Sequence, residues 1–486
     1  MWKTETEHQR VIAQRLGWLN AIEWLKESAE ELVGFAEEVQ DAGLAHALLL
    51  GMGGSSLASE VLRTTFGVAT GFPDLAVLDS TVPAAVLQAE RSVDLSRTLF
   101  IVSSKSGTTT EMLALSRYFY EKMRVLKGER VGEHFVAITD AGTPLEDWAR
   151  QANFRRIFLN PSDIGGRFSA LSYFGMVPAA IMGLDIKTLL DRAEGMLRCC
   201  DLGIPLKDNP GAELGAILGQ AARVGRDKVT LVTTDPIGSF GHWVEQLLAE
   251  STGKAGAGLI PIQGEPLGDA ALYGHDRLFV QMRVEGNRDE EVERRLSELE
   301  AAGHPVLRIP LEDTLDVGGE FFRWEVATAV AGALLGINPF DEPNVQESKD
   351  NTRRLLEIYQ SERRLPEDRV ALSEGGLSLY GEVGGRALRV ALGDFLGSAR
   401  LGDYLALLAY LPPTPEMDRL LQAIRVRLRD SLRLATMLSY GPRYLHSTGQ
   451  LHKGGPDKAL LIQLTADDAE DIPIPGQLYT FGLLVR

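Results

Sequence analysis

Cysteine is almost missing from this chain: its 486 residues include two, the adjacent Cys199 and Cys200. Neighbouring thiols build no disulfide framework and lack the spacing of a metal site, so the fold rests on burial and a reducing, cytoplasmic setting is expected. Long apolar runs are lacking too. The longest, Tyr173 to Leu184 and Val326 to Ile337, stop short of the roughly 18 residues of a membrane span, and the start, MWKTETEHQR, does not read as a signal peptide. No membrane association is expected. Positive charge is in deficit, 50 Lys+Arg against 67 Asp+Glu for a net −17, which repels nucleic acid and makes it an unlooked-for partner. An anionic small molecule would have to be met by a local cluster of cations or aimed N–H groups. No P-loop, HExxH, paired CxxC or GxSxG occurs, so nucleotide hydrolysis, zinc chemistry and nucleophile-elbow hydrolysis lose their signatures. Neither a metal nor a cofactor is called for.

What remains is an ordinary globular composition, 44% hydrophobic and 24% charged, in a length that suits about three domains. Residues 11–39 show the periodicity of an amphipathic helix, placing an N-terminal helical segment at 1–43. Short β-like runs then alternate with helical stretches: Ala47–Leu50, Leu75–Leu78, Thr98–Val102, His134–Thr139 and Arg156–Leu159. That rhythm predicts an α/β fold with a doubly wound parallel sheet over 44–200. It resumes at Lys228–Thr233, Gly258–Ile262, Arg277–Arg283 and Pro305–Ile309, predicting a second such domain over 201–349. A smaller α/β domain is expected over 350–486, with strands Tyr404–Tyr410 and Ala459–Leu464 and a helix after Pro412-Pro413. The last residues, Tyr479–Arg486, read as strand-like, which leaves room for a truncated final domain.

Several motifs carry chemistry. GMGGSS (Gly51–Ser56) lies at a strand-to-helix turn, where Gly54 and its neighbours let backbone N–H groups approach an oxyanion. SSKSGTTTE (Ser103–Glu111) follows the next strand and offers hydroxyls and a lysine at a helix start; read blandly, it is a Ser/Thr-rich cap. Both loops fall at the C-terminal ends of parallel strands, where open α/β sheets bind ligands. In DIGGRFS (Asp163–Ser169), glycines such as Gly166 let the Arg167 guanidinium approach a developing oxyanion, or simply make a tight turn. In QLLAESTGK, Gln246 and Glu250 share one helical face, and a half-buried Glu250 would suit general-base work. YGHDR holds His275 just before a strand, and INPFDEPNVQESK is a Pro-rich loop leading to Lys349. Farther on, His446, Gln450, His452 and Lys453 crowd a Gly-rich loop that reads as a structural or lid element, or as a second anion site.

In this order the motifs resemble the phosphoglucose isomerase (glucose-6-phosphate isomerase) family, built from two sugar-isomerase (SIS) domains, over roughly Leu48 to Lys349. GPRYLHSTGQLHKGGP (Gly441–Pro456) is similar to the tail of transaldolase–phosphoglucose isomerase fusions, with no transaldolase domain ahead of it. The resemblance implies a cofactor-free aldose–ketose isomerase that interconverts glucose 6-phosphate and fructose 6-phosphate through a cis-enediol(ate). It assigns Ser55, Ser104, Lys105, Ser106 and Thr109 to the sugar phosphate, and Gln246 to the substrate. Glu250 becomes the base, Arg167 the arginine beside the enediolate, Lys349 a group acting around ring opening, and Glu111 the acid that orients the catalytic histidine. His275 is the candidate for that histidine, which the family borrows across a dimer interface, so a homodimer is implied. Glu342 stands where the family commonly has glutamine, and Ser106 where it has threonine. Two other readings fit the loops: an isomerase that also accepts mannose 6-phosphate, and a SIS-type module that binds a phosphosugar without turning it over.

Overall fold

Strands of the first sheet have continuous apolar centres rather than alternation, as a sheet covered on both faces requires. The computed structural model describes residues 2–366, 368–382 and 384–486, with Gln346 and Lys349 described by their backbone alone. β1 (His46–Leu50), β2 (Asp74–Leu78), β3 (Thr98–Ser103), β4 (Phe135–Asp140) and β5 (Arg156–Asn160) form a parallel sheet in the order β2-β1-β3-β4-β5. Chain direction across the sheet reverses between β1 and β3, the crevice where doubly wound sheets take ligands. Neighbouring residues serve opposite faces: Ala47, Leu49, Leu99 and Ile101 enter one core, Leu48, Leu50, Phe100 and Val102 the other.

A second parallel sheet has β6 (Lys228–Thr233), β7 (Ile260–Gln263), β8 (Arg277–Val284) and β9 (Val306–Leu311) in the order β7-β6-β8-β9. One apolar core runs continuously from the first sheet to the second through the helices between them, including Val61, Val177, Leu218, Trp243 and Trp324. The helix Tyr173–Ile181 carries Pro178 in its interior. Proline offers no N–H to the carbonyl of Phe174; the Ser59 hydroxyl, on the helix that follows the first glycine loop, donates to that oxygen at 3.1 Å instead.

Past a long helix, Pro343–Glu362, come an antiparallel hairpin of β10 (Val370–Glu374) and β11 (Leu377–Tyr380) and a third parallel sheet of β12 (Tyr404–Tyr410), β13 (Ala435–Tyr440) and β14 (Ala459–Thr465), ordered β13-β12-β14. The reading from sequence passed over β13 and the hairpin. The run expected to be strand-like at the C-terminus is a short helix, Phe481–Val485, whose first turn is capped by the Thr480 hydroxyl accepting from Leu483 N. The N-terminal helical pattern divides into Thr6–Ala13, a 3-10 turn at Gly17–Asn20, and Ala21–Asp41.

The third sheet is fastened to both others. β7 and β13 are edge strands, and the buried Arg425 bridges them: Nη2 donates to Gln263 O at 2.8 Å and Nε to Thr436 O at 3.1 Å. Beside it, Glu265 pairs with Arg277 at 2.9 Å and accepts from Thr436 N, also at 2.9 Å. The tail returns to the first sheet, where Ile472, Ile474, Tyr479 and Phe481 join the core of Phe100 and Phe119. Among the described residues no helix is long and apolar enough to cross a membrane.

Candidate active site

The two loops singled out in sequence meet at the β1/β3 crevice. After β1 the chain makes a 3-10 turn, Gly53–Ser55, and enters the helix Leu57–Phe66; after β3 it passes through Ser104–Thr109 into the helix Thr110–Lys127. Glycine is required here for close approach. A Cβ on Gly54 would collide with the carbonyl of Gly166, so the first loop lies directly on the turn that carries Arg167. Gly107 has φ +64 and no room for a side chain against Leu145 N and Thr143 Cβ, which fixes the hydroxyl loop.

These loops wall a cavity of about 450 Å³, a volume that accommodates a small-molecule ligand. Gly54, Ser55, Lys105, Ser106, Thr109, Gly166, Arg167, Gln246 and Glu250 all line it. Ser104 does not: it is buried, its hydroxyl shared with Thr109 Oγ1 at 3.0 Å and accepting from Gly107 N at 3.2 Å, so it shapes the loop. Lys105 pairs with Asp140 at the end of β4, and its Nζ also donates to Ser162 O at 2.9 Å. Burial depresses the lysine and raises the carboxyl of Asp140, each opposed by the other's charge.

Opposite the hydroxyl loop lies the base candidate. Within the helix Phe240–Thr252, Trp243 and Leu247 enter the core while Gln246 and Glu250 face the cavity, with Gln246 Nε2 donating to Glu250 Oε2 at 3.1 Å. Arg167 Nη1 lies 3.0 Å from Glu250 Oε1. The same guanidinium donates to Ser251 Oγ at 3.1 Å, to the carbonyls of Pro339 and Asp341 at 3.0 and 3.1 Å, and to Glu342 at 3.2 Å. Behind it Phe168 packs between Trp18 and Phe340, at ring separations of 5.3 and 5.1 Å. Burial works against the charge of Arg167, and Glu250 and Glu342 outweigh it, so its pKa is raised. Lys254, in the same QLLAESTGK motif, bonds Asp341 Oδ1 at 2.8 Å and thereby holds the loop that offers carbonyls to Arg167. Burial first, then the charge of Arg167, brings this lysine down to about 8.

Two expectations need restating. His275, expected to be lent across a dimer interface, does not line the cavity of its own chain: it is exposed at the N-terminal end of β8, its ring 6.4 Å from that of His304. Parallel strands gather ligand loops at their C-terminal ends, and a residue just ahead of a strand lies at the opposite edge. The histidine beside Glu111 is His446, in the turn Arg443–His446 after β13: its Nε2 lies 2.8 Å from Glu111 Oε1, and it lines the cavity. Lys349 belongs to the helix Pro343–Glu362, and its side chain lies outside the described residues.

Sequence reasoning missed Asp140 and Arg15 as lining groups. TDAGTP directly after a strand was the available signal for Asp140; Arg15, from the N-terminal segment, left none, because its nearness depends on packing across the fold. Among the described residues no three of His, Cys, Asp and Glu gather as a metal-holding group.

Comparison with known proteins points the same way. The family described as "Phosphoglucose isomerase" matches residues 25–255. A Haloarcula marismortui protein named "Probable glucose-6-phosphate isomerase" is 31% identical over 346 residues, spanning 64% of this chain and 77% of that protein. Among solved structures, a hypothetical protein from Thermus thermophilus superposes with TM-score 0.63 at 25% identity, covering 71% of this chain and 93% of its own. A glucose-6-phosphate isomerase from Chlamydia trachomatis reaches TM-score 0.60 at 20% identity, covering 73% and 85%, and shares the fold. The chain belongs to the phosphoglucose isomerase family.

Proposed function

We propose that this protein interconverts glucose 6-phosphate and fructose 6-phosphate, moving one proton between C1 and C2 through a cis-enediol(ate), without a cofactor. The observation that carries the reading is the pairing of Glu250 with Arg167 at 3.0 Å on the wall of the cavity that the hydroxyl loop also lines. Ser55, Ser106, Thr109 and Lys105 hold the phosphate, with the start of the helix Thr110–Lys127 adding partial positive charge. Anchored there, the open-chain sugar lays C1 and C2 against Glu250, which removes a carbon-bound proton from one and returns it to the other. Negative charge that gathers on the two oxygens of the enediolate faces Arg167, whose position is set before substrate arrives by four other acceptors.

A module that only sensed a phosphosugar would need the hydroxyl loop and have no use for a carboxylate and a guanidinium beside it. Mannose 6-phosphate would form the same enediol, so its acceptance turns on the pocket wall at C2. The near absence of cysteine supports activity in a reducing cytosol. The tail Gly441–Pro456 we read as kin to the transaldolase–phosphoglucose isomerase fusions.

The test is a coupled assay with fructose 6-phosphate, without added nucleotide or metal, reading glucose 6-phosphate through its dehydrogenase. Steady turnover is expected. Phosphosugar binding with no turnover would replace the isomerase by the sensor.

A further inference from the structure

We infer that Arg15, reaching in from the N-terminal segment, is a second cation for the sugar phosphate: its guanidinium and the Lys105 ammonium converge on one backbone oxygen in the wall of the cavity, where a dianion would be shared by both. The inference deepens the isomerase reading above and rests on it for the sugar that the phosphate belongs to.

Arg15 lines the cavity beside Lys105, Ser106 and Thr109. Its Nη1 donates to Ser162 O at 3.3 Å, and Lys105 Nζ donates to the same carbonyl at 2.9 Å. Lys105 has a counter-charge in Asp140. Arg15 has none: among the described residues no carboxylate comes within ion-pair distance of it, and that of Asp163 fills the place where a Cβ on Gly17 would stand. A guanidinium presents a planar fork of N–H donors matched to two phosphate oxygens at once, and one neutral carbonyl uses little of it. Two like charges drawn to one neutral oxygen also repel each other. Burial is the first cause that depresses Lys105, and the charge of Arg15 adds to it against the pull of Asp140. A phosphate dianion would relieve that repulsion and give each cation a charged acceptor.

The N-terminal segment is fastened so that this side chain is delivered to the cavity. Gly17 N donates to Asp163 O at 3.1 Å, and any side chain at Gly17 would collide with the Asp163 carboxylate, so the segment lies directly on the DIGGRFS loop. The Arg15 stem runs over the same loop, its Cδ 4.0 Å from where a Cβ on Gly165 would be. Nearer the N-terminus, His8 Nδ1 lies 3.3 Å from Asp341 Oδ2, and Trp2 Nε1 donates to Ile337 O at 2.7 Å. One segment therefore braces the loop whose carbonyls hold Arg167 and brings a cation to the hydroxyl loop.

Inorganic phosphate is the probe, titrated by calorimetry into the unsubstituted chain, Arg15→Gln and Arg15→Lys, beside kinetics with fructose 6-phosphate. Arg15→Gln is expected to weaken phosphate binding by about 10–100-fold, the worth of a hydrogen bond to a charged group, and to raise KM by the same factor, with the loss in KM rather than in kcat. Arg15→Lys, which keeps the charge and gives up the fork, is expected to bind phosphate more tightly than Arg15→Gln. In the unsubstituted protein, saturating phosphate is expected to slow phenylglyoxal labelling of Arg15, read by peptide mass spectrometry. A residue that only staples the segment to Ser162 would leave phosphate affinity unchanged in Arg15→Gln, and that result, or labelling of Arg15 that phosphate does not slow, overturns the proposal. Phosphate affinity lost in Arg15→Gln while the unsubstituted protein turns over no hexose phosphate would uphold the anion site and refute the isomerase reading. Turnover with phosphate affinity unmoved would uphold the isomerase and refute Arg15.

Discussion

Arg167 Nη1 and Glu250 Oε1 lie 3.0 Å apart with their side chains 6% and 12% exposed, so the cation proposed to meet the transition state also balances the charge of the proposed base. Removing the arginine therefore has two costs. Arg167→Ala should lower kcat by about 10²–10³, the worth of a transition-state donor. It should also lower stability by about 3–5 kcal/mol, because Glu250 is left buried without a countercharge, with only the Gln246 amide to bond it. Arg167→Lys keeps the charge and should recover most of the stability but little of the rate, since an ammonium cannot serve Ser251, Pro339 and Asp341 in one plane. Urea unfolding beside steady-state kinetics separates the two effects.

Lys105 lines the cavity and, in the proposed function, is a cation that holds the phosphate. Lys105→Met should raise KM for the sugar phosphate by about 10–100-fold, matching the 1.5–3 kcal/mol of a hydrogen bond to a charged group. The inhibition constant for inorganic phosphate should rise by the same factor, with kcat close to wild type. A fall in kcat at unchanged KM would move Lys105 from binding to chemistry.

Two glycine substitutions should part company. A Cβ on Gly54 meets the backbone of Gly166, which cannot swing aside, so Gly54→Ala should push the Arg167 turn away and cost activity at least tenfold. Gly34, within the helix Ala21–Asp41, has nothing within 4 Å of its would-be Cβ. Gly34→Ala should leave kinetics unchanged and add about 0.5–1 kcal/mol of stability through helix propensity. Thermal melts and kcat of both variants check the contrast.

Glu245, on the helix that carries Glu250, is buried and pushed up to about 8 by desolvation, with Arg425 and Arg443 opposing. A carboxyl whose folded pKa exceeds its ordinary 4.5 binds more protons folded than unfolded between the two values. Its contribution is therefore full below about 4.5 and is lost as pH rises towards about 8. Glu245→Gln removes that dependence, so the variant and the wild type should melt alike at pH 5 while the variant melts higher at pH 8. Parallel melting curves across this range would contradict the assignment.

The parallel strands were legible because parallel sheets write themselves as short unbroken apolar runs, such as HALLL and TLFIVS at β1 and β3. β13, ATMLSY, follows a long helix and mixes polar with apolar positions, because its Thr436 is spent on the seam with Glu265. Within the site, residues in consecutive loops could be read from spacing: Ser55, Lys105 to Thr109, Arg167, and the Gln246–Glu250 pair. What spacing could not show was the partner of Glu111. His446 stands 335 positions away, and only docking of the third sheet on the first two brings it there. His275 was the natural candidate in a linear reading; it lies just ahead of β8, away from the cavity of its own chain.

The most direct test of the account concerns Glu250 as the proton carrier. Wild type and Glu250→Gln would be compared for conversion of fructose 6-phosphate in D₂O, with phosphosugar affinity measured separately by calorimetry. The account predicts that C2 of the glucose 6-phosphate formed by wild type carries hydrogen moved from C1, with solvent deuterium entering only as far as the Glu250 carboxyl exchanges with water, and for Glu250→Gln a loss of at least 10³ in kcat with affinity kept within about threefold. A Glu250→Gln enzyme that turns over near the wild-type rate would contradict it.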